Sequence, residues 1–592
     1  MAQVNLKING VNVTVPEGTS VLEAAHSVNI NIPTLCYLKG INEVGDCRMC
    51  VVEVKGARAL MASCVYPVSE GMEVWTNTKK VLDSRKETLR LILSNHEKKC
   101  LSCIRSENCE LQKLSKDLGI EDDNYFEGER IHYDLDKTSV HLIRDNNKCI
   151  LCRRCIAACE EVQGIGILGP NARGFKAHVG CAFDVGLGET ACVNCGQCIV
   201  VCPTGALYEK DDSDKVEEAL ADPEKYVVVQ TAPSVRATIG EEFGLPIGTD
   251  CEGKLAAALR RIGFKRVFDT DFAADLTIME EANEFVERLT KGTGPLPLIT
   301  SCSPGWVKYC ETYHPEFVPN VSSCKSPQQM FSAMAKTYYA EKIGVDPKNM
   351  FVVSIMPCTA KKFEITRPYQ SAYEGHQDTD VALTTRELAR MIKRAGIDFA
   401  HLPNESFDDP LGESTGAGVI FGATGGVMEA ALRTAVEWIT GESLGNVDFK
   451  EVRGMEGIKE ATYNVAGTEV NVAVASGLKN ANELLERVKK GEKQYHFIEI
   501  MGCPGGCING GGQPIVPSYV RNFEDYRAMR ASALYSNDVK KTIRKSHENE
   551  SIKKLYREFL GEPGSEIAHH LLHTRYVERL VNPILVNESK KK

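Results

Sequence analysis

The sequence has no long apolar run and no excess of basic residues. No stretch approaches the eighteen or more apolar residues that a membrane-spanning helix needs. The chain opens MAQVNLKINGVNVTV, which alternates like a strand and shows no export signal. The net charge of -10 leaves no basic surface for a nucleic-acid partner. We therefore expect a cytoplasmic chain, without membrane or nucleic-acid partners, that acts on small molecules or other proteins.

Cysteine, in contrast, is abundant and unevenly placed. Of the 23 cysteines, sixteen fall between Cys36 and Cys202 and seven follow Cys202. In a reducing compartment such cysteines are better explained as metal ligands than as disulfides. The first part of the chain is therefore interpreted as a string of small modules stabilised by metal binding. After a charged stretch at 209–224, interpreted as a solvated helix face and a linker, the rest has the length and pattern of an α/β domain.

The first cysteine group is Cys36, Cys47, Cys50 and Cys64. Four thiolates separated by ten, two and thirteen residues suit a two-iron cluster in a β-rich, ubiquitin-like ferredoxin module. A structural zinc ion is the alternative, although zinc sites usually contain two close pairs of cysteines.

The second group consists of His96, Cys100, Cys103 and Cys109. This set fits either a zinc ion or a four-iron cluster. Its neighbours favour the cluster, because a redox-inert zinc ion would interrupt a series of redox centres.

A cysteine run that occurs twice gives the strongest local signal: Cys149, Cys152, Cys155 and Cys159, then Cys192, Cys195, Cys198 and Cys202. This spacing is typical of bacterial two-cluster ferredoxins, in which the fourth cysteine of each run binds the other cluster. One four-iron cluster is therefore predicted on the first three cysteines with Cys202, and another on Cys192, Cys195 and Cys198 with Cys159. Cys181 is interpreted as a small buried residue.

Strand-length apolar runs recur in the large domain at 226–229, 296–299, 351–356 and 496–501. Three of them continue into unusual sequence: ITSCSPGWVKYC from Ile299, IMPCTAKKFE from Ile355 and EIMGCPGGCINGGGQP from Glu499. Because chemistry in α/β sheets gathers beyond the carboxyl ends of strands, these loops are predicted to converge on one site. The glycine-rich stretch 416–426 lacks a dinucleotide-binding pattern and is interpreted as tight packing, or as part of the site's lining.

These three motifs, in this order, resemble the signatures of iron-only, or [FeFe], hydrogenases. The resemblance extends through TAPSVR, DLTIMEEANEF, SSCKSPQQM, FGATGGVMEAALR and RKSHEN. It implies a multidomain α/β protein with α+β N-terminal modules. The predicted modules are a ubiquitin-like [2Fe-2S] ferredoxin (1–78), a His/Cys3 [4Fe-4S] module (79–135), a bacterial-type two-cluster ferredoxin (136–212) and a large α/β hydrogenase domain (213–592).

The resemblance also implies an active-site cofactor, the H-cluster. This group joins a four-iron cubane through a cysteine to a di-iron unit with carbon monoxide, cyanide and azadithiolate. By motif, the cubane ligands would be Cys358, Cys503 and Cys507, with Cys507 as the bridge. Other contacts to the cofactor are expected from Thr231, Pro233, Ser234, Met356 and Met501.

The resemblance also implies roles in the reaction for polar and charged side chains of the same motifs. The ammonium of Lys361 would stabilise a cyanide ligand, although a surface lysine is the simpler interpretation. Protons would pass along Cys302, Glu281, Ser322 and Glu284, because thiol, carboxyl and hydroxyl groups can each relay a proton. The simpler interpretation of Glu281 and Glu284 is that they decorate a helix surface.

One departure from the family pattern concerns the pair Cys302 and Ser303. Family members most often have two cysteines there, the first a proton relay and the second a cubane ligand. Serine is a poor substitute for a thiolate on iron. Either Ser303 binds through oxygen, or Cys302 binds and Ser303 or water relays the proton, or three cysteines hold the cubane. The chemistry of sulfur favours Cys302 as the ligand.

The reaction implied is the reversible reduction of two protons to hydrogen, with electrons exchanged with ferredoxin or with a flavin, NAD(P)-binding subunit. Three alternatives belong to other classes of protein. A non-catalytic electron carrier would leave the C-terminal motifs without purpose. An iron–sulfur assembly factor would lack the four-cluster N-terminal part and the proton path. A hydrogen sensor would be expected to carry a signalling domain, and none is visible.

Overall fold

The computed structural model describes residues 2–121, 126, 130–373 and 375–581. Parts of the predicted 79–135 and 213–592 modules therefore lie outside the described residues. Within those ranges, no helix combines the length and the apolar character needed to cross a bilayer.

The first module is a five-stranded sheet with one short helix against it. The strand order is β2-β1-β5-β3-β4, with β1 parallel to β5. Burial alternates along β1, as expected for a strand with one face on the core. Asn9 and Gly10, with φ of 50° and 85°, form the tight turn between the first two strands. The elements are β1 (Gln3–Ile8), β2 (Val11–Pro16), α1 (Val21–His26), β3 (Val51–Val54), β4 (Met61–Ala62) and β5 (Glu73–Trp75).

Two small modules follow. The first of them has two helices, α2 (Lys79–Ser94) and α3 (Glu110–Asp117), on either side of the second cysteine group. The next is built from two antiparallel strand pairs, β6 with β9 and β7 with β8, and two single-turn helices. Its elements are β6 (Leu142–Arg144), α4 (Arg154–Ala157), β7 (Gly169–Asn171), β8 (His178–Gly180), α5 (Gln197–Val200) and β9 (Leu207–Glu209).

The large domain contains two four-stranded sheets covered by helices. One sheet is entirely parallel, in the order β11-β10-β13-β14. The other has the order β12-β17-β16-β15 and is parallel except for the β15–β16 hairpin. The strands are β10 (Tyr226–Thr231), β11 (Arg266–Asp269), β12 (Leu298–Ile299), β13 (Met350–Met356), β14 (Val381–Thr384), β15 (Ile458–Val465), β16 (Thr468–Ser476) and β17 (Phe497–Met501).

The helices of this domain pack on both sides of the sheets. The longest, α9, is almost entirely buried along its first half. They are α6 (Ser213–Ala221), α7 (Pro233–Arg236), α8 (Glu252–Ile262), α9 (Thr270–Lys291), α10 (Pro304–Tyr313), α11 (Pro327–Met334), α12 (Ala340–Ile343), α13 (Lys361–Glu364), α14 (Thr385–Arg394), α15 (Gly416–Ile420), α16 (Gly426–Thr440), α17 (Leu478–Lys489), α18 (Ser518–Arg521), α19 (Tyr526–Lys540), α20 (Glu550–Leu555) and α21 (Glu566–Leu572). The four apolar runs predicted as strands form β10, β12, β13 and β17.

The prediction that residues 209–224 form a solvated helix face and a linker is wrong in part. Glu209 is only 2% exposed and forms ion pairs with Arg386 and Arg390, both at 2.7 Å. Asp212 pairs with the buried Lys362 at 2.6 Å. Because a buried carboxylate needs a cationic partner, these residues fasten the third module to the large domain instead of separating the two.

Candidate electron-transfer chain and active site

The first cysteine group lies on two loops of the N-terminal sheet module. Cys50 Sγ is 3.3 Å from Cys64 Sγ, and the thiols of Cys36 and Cys47 are hydrogen-bonded to each other. Hydrogen bonds from these neighbours lower the pKa values of Cys47 and Cys50. All four thiols are free of disulfides. The arrangement suits iron, which binds thiolates.

His96 lies at the end of α2 and is 8% exposed. Burial, with a smaller effect of Lys148, lowers the pKa of His96 to about 4. Its Nδ1 is buried without a hydrogen-bond partner among the described residues. A neutral imidazole with a free nitrogen is the form that binds a metal.

In the ferredoxin-like module, the fourth cysteine of each run influences the thiols of the other run. Besides burial, which dominates, the charge of Cys202 raises the pKa values of the thiols Cys149, Cys152 and Cys155. In the second set, the charge of Cys159 has the same effect on Cys192, Cys195 and Cys198. Each fourth cysteine is therefore within electrostatic range of the other run, and the crossed ligand sets stay a prediction.

Both outer modules contact the same set of cysteines. The Asn42 amide is 3% exposed and donates to Cys36 O at 2.7 Å and to Cys152 O at 3.0 Å. From the second module, Arg105 donates to Cys202 O at 2.8 Å. The loops of two cysteine groups thus converge on the Cys149–Cys155 run and Cys202, so the modules form a fork and not a single file.

The other set, which contains Cys195, lies against the large domain. A Cβ atom added to Gly511 would lie 2.3 Å from Cys195 O, so the two main chains are in direct contact. The amide of Gln163, which is fully buried, donates to Gly502 O at 2.9 Å. Gly502 precedes Cys503 in the chain. Besides burial, the charge of Cys503 raises the pKa of Cys195.

The three loops predicted to converge do so. Cys302 follows β12, Cys358 follows β13, and Cys503 and Cys507 follow β17. Burial raises the pKa of Cys507 to about 12, and the nearby Cys358 adds to this shift. Burial and the charges of Cys358 and Cys507 likewise raise the pKa of Cys503. Metal binding would have to displace the protons of these thiols.

Several buried hydroxyl groups near these cysteines have no hydrogen-bond partner among the described residues: Thr231, Ser234 and Thr424. Gly422 packs against Ser234, and Gly506, with φ of 91°, packs against Thr424. Buried polar groups are normally satisfied, so these hydroxyl groups suit a polar cofactor such as the H-cluster. Pro233, Met356 and Met501 are also buried, the two methionines at 2% exposure each.

The glycine-rich stretch 416–426 is tightly packed, and its place in the lining of the site stays a prediction. Gly418 and Gly426 lie so close to neighbouring backbone that a Cβ would clash. Thr424, in the same stretch, contributes one of the unpartnered hydroxyl groups. The sequence did not single out Thr424, because nothing in its local pattern marks it.

Lys361 is not a surface lysine, since it is 8% exposed. Its ammonium donates to Ser326 Oγ and to Glu364 Oε2, both at 2.8 Å, and to Cys302 O at 3.3 Å. The ion pair with Glu364 places a fixed, compensated charge beside the Cys302 loop.

Two carboxylates of the predicted proton path, Glu281 and Glu284, lie on α9. Glu281 is 1% exposed, and burial, together with Glu284, raises the pKa of Glu281 to about 8. Glu284 accepts hydrogen bonds from Ser322 Oγ at 2.8 Å and from Arg288 at 2.6 Å. The burial of Glu281 and the hydrogen bonds of Glu284 show that neither residue merely decorates a helix surface.

Cys302 and Ser303 face different partners. The Ser303 hydroxyl accepts a hydrogen bond from Gly502 N–H at 3.1 Å, beside Cys503. Burial and the charge of Glu281 raise the pKa of Cys302. Ser303 therefore lies on the Cys503 side of the loop, and Cys302 is within electrostatic range of the proton path.

The remaining cysteines are buried. Cys181 is 1% exposed, as predicted for a small packed residue. Cys251 donates to Thr249 O at 3.5 Å and Cys310 to His314 O at 3.4 Å. Cys324 donates to Glu284 Oε2 at 3.8 Å.

Profiles of known protein families match most of the chain. The profile "Iron only hydrogenase large subunit, C-terminal domain" matches residues 225–511, and "Iron hydrogenase small subunit" matches 524–579. Three iron–sulfur profiles match the N-terminal modules: a 2Fe-2S binding domain (1–79), an NADH-ubiquinone oxidoreductase-G iron-sulfur binding region (85–124) and a 4Fe-4S dicluster domain (148–208).

Two relatives cover nearly the entire chain. The NADP-reducing hydrogenase subunit HndD of Solidesulfovibrio fructosivorans is 52% identical over 98% of this chain and 100% of its own length. Iron hydrogenase 1 of Clostridium pasteurianum is 45% identical over 96% of this chain and 99% of its own length. The chain belongs to the [FeFe]-hydrogenase family. It is an oxidoreductase with N-terminal iron–sulfur domains.

A solved structure supports the same assignment for the hydrogenase domain. The [FeFe]-hydrogenase HydA1 from Chlamydomonas reinhardtii matches with a TM-score of 0.55 and 45% identity, covering 61% of this chain and 98% of that one. A separate group of relatives is more distant: the cytosolic Fe-S cluster assembly factor narfl of Xenopus tropicalis is 31% identical over 65% of this chain and 82% of its own length.

Proposed function

We propose that this hydrogenase catalyses the reversible reaction of two protons and two electrons to hydrogen at a six-iron H-cluster. One observation carries the proposal: two strand-end loops bring Cys358, Cys503 and Cys507 together, beside unpartnered hydroxyl groups and a third loop that carries Cys302. When bound, the H-cluster supplies an open iron position for hydrogen and a basic amine. The chain's own residues hold that group, exclude water and move protons between Cys302 and the surface.

Four N-terminal clusters would supply the electrons: one [2Fe-2S] and three [4Fe-4S]. The contact of Cys195 with the Gly511 main chain supports a direct route from the ferredoxin module to the cubane. We propose ferredoxin, or a flavin and NAD(P)-binding subunit of a larger complex, as the electron partner. The relative named as a subunit of an NADP-reducing hydrogenase supports the second partner.

An infrared spectrum of the anaerobically matured protein tests the proposed reaction. Bands of metal-bound carbon monoxide and cyanide are expected, and they should shift when hydrogen is added. The hydrogen-reduced protein should then pass electrons to ferredoxin. Iron and sulfide without such bands would contradict the proposal and favour an assembly factor or an electron carrier. The assembly-factor alternative is weakened by the four-cluster N-terminal part, because the match to narfl covers 65% of this chain.

For the fourth corner of the cubane, we propose Ser303 in place of Cys302, which the sequence favoured. The hydrogen bond between Ser303 and Gly502, next to Cys503, supports this choice. Cys302 would then act as the proton relay facing Glu281. Lys361 would hold a cyanide ligand by its buried charge.

Alanine variants of the two residues should separate these roles. Ser303→Ala is expected to weaken the cubane, seen as lower iron content and an altered electron paramagnetic resonance signal in protein that lacks the di-iron unit. Cys302→Ala should leave that signal unchanged and slow hydrogen turnover. If Cys302→Ala removes the cubane signal instead, Cys302 is the ligand and the assignment is reversed.

A further inference from the structure

Cys324 is a fully buried thiol that shares its acceptor with a residue of the predicted proton path. Its Sγ donates to Glu284 Oε2 at 3.8 Å, and Ser322 Oγ donates to the same oxygen at 2.8 Å. The backbone N–H of Cys324 donates to Ser322 Oγ at 3.2 Å, which fixes the two side chains relative to each other.

About one helical turn before Glu284 on α9 lies a carboxylate that lacks partners. Both oxygens of Glu281 are buried without a hydrogen-bond partner among the described residues. Glu280, in contrast, is occupied, because it accepts from Gly564 N–H at 2.9 Å and is paired with His573 at 3.1 Å. Among the described residues, no hydrogen bond therefore leads from Glu281 to Glu284, and a proton that passes between them needs a relay.

The thiol of Cys324 is suited to both donating and accepting. Burial, followed by the charges of Glu284, Glu281 and Glu280, raises the pKa of Cys324 well above its usual value. The group therefore remains a neutral thiol, which has one S–H donor and a weak acceptor sulfur.

We propose that Cys324 is a second proton relay beside Ser322, so that two parallel links join Glu281 to Glu284. In the forward step the S–H proton of Cys324 moves to the Glu284 carboxylate, while the sulfur takes a proton from the Glu281 side, directly or through one water molecule. One S–H bond breaks and one forms, so the thiol is unchanged and no electron is transferred. The reverse step carries protons inward. This inference rests on the proposed hydrogenase reaction.

Four variants of the full-length holoenzyme test the parallel links. Ser322→Ala and Cys324→Ala alone are each expected to lower hydrogen turnover only in part, because one link remains. The double variant should lose about 100-fold, the lower end of the effect of removing proton transfer. Adding Cys324→Ser to Ser322→Ala should preserve turnover, because a hydroxyl can also relay. The proposal is overturned if Ser322→Ala alone falls as far as the double variant, or if the double variant is as active as the wild type.

A second readout does not depend on turnover or on the di-iron unit. The infrared S–H stretching band of Cys324, identified by subtracting the spectrum of Cys324→Ala, should shift when Glu284→Gln weakens its acceptor. Cys310 is the matched control, since it is also fully buried and donates to a carbonyl, that of His314. Its band, identified with Cys310→Ala, should not respond to Glu284→Gln. A Cys324 band that is equally indifferent would contradict the hydrogen bond itself, whether or not the protein produces hydrogen.

Discussion

Replacing Glu281 with glutamine is expected to lower hydrogen turnover in both directions by about 10²–10⁴-fold, the usual cost of removing a positioned acid–base group. Glutamine has nearly the same shape but cannot exchange a proton. The iron content and the resonance signals of the N-terminal clusters should be unchanged. Turnover is measured with an artificial electron donor, so that the partner protein does not limit the rate.

Glu287→Gln is the matched control for this variant. Glu287 lies on the same helix, α9, but its side chain is 39% exposed and pairs with Lys291 at 3.0 Å. It should retain wild-type turnover. Equal losses in the two variants would mean that the effect comes from the helix and not from proton transfer.

The pH dependence of stability gives an independent check on Glu281. Burial raises its pKa to about 8, so the folded protein favours the protonated form. The stabilisation is fully present below the unfolded pKa of Glu, about 4.3, and is lost as the pH rises through 8. The thermal midpoint of Glu281→Gln should therefore fall less than that of the wild type between pH 6 and pH 9.

Arg433→Leu is expected to lower the free energy of unfolding by about 3 kcal/mol, because it leaves the buried carboxylates of Glu429 and Asp538 with one cation each, Arg453 and Arg544. Arg433 is fully buried on α16 and binds Glu429 at 2.8 Å and Asp538 at 2.9 Å. Asp538 belongs to α19, within the segment 524–579 that matches the small-subunit profile. The loss of tertiary structure, followed by near-ultraviolet circular dichroism in urea, measures the effect.

An exposed arginine provides the comparison. The side chain of Arg487 is 37% exposed and pairs with Glu460 at 3.3 Å and with Glu483. Because exposed pairs contribute about 1 kcal/mol or less, Arg487→Leu should change stability little. A shift for Arg433→Leu no larger than this would show that the ion pairs do not hold the C-terminal segment in place.

The parts of the fold that the sequence predicts best are those with a local pattern. Cysteine spacing predicted the division of the N-terminal part into small modules, which the structure reproduces. The strands leading into the three cysteine loops were also visible as short apolar runs. In each case neighbours along the chain carry the signal.

Contacts between distant residues could not be read in this way. Cys324 and Glu284 are forty residues apart, and Asn42 lies 110 residues from Cys152. The residues next to Glu209 in the sequence are charged, but its side chain is buried in the fold. Its partners Arg386 and Arg390 come from a helix far along the chain. The predicted domain boundaries and the ligand roles of individual cysteines stay predictions.

The close contact between Gly511 and the Cys195–Gly196 backbone limits how this enzyme can evolve. No side chain lies between the two main chains, so no substitution can shorten the gap further, and any residue larger than glycine would widen it. Because electron tunnelling weakens steeply with distance, such a widening would slow the last transfer before the active site. A substitution at Gly511 can therefore only lengthen the distance between the two main chains. The missing Cβ atom of Gly511 keeps this distance at its minimum.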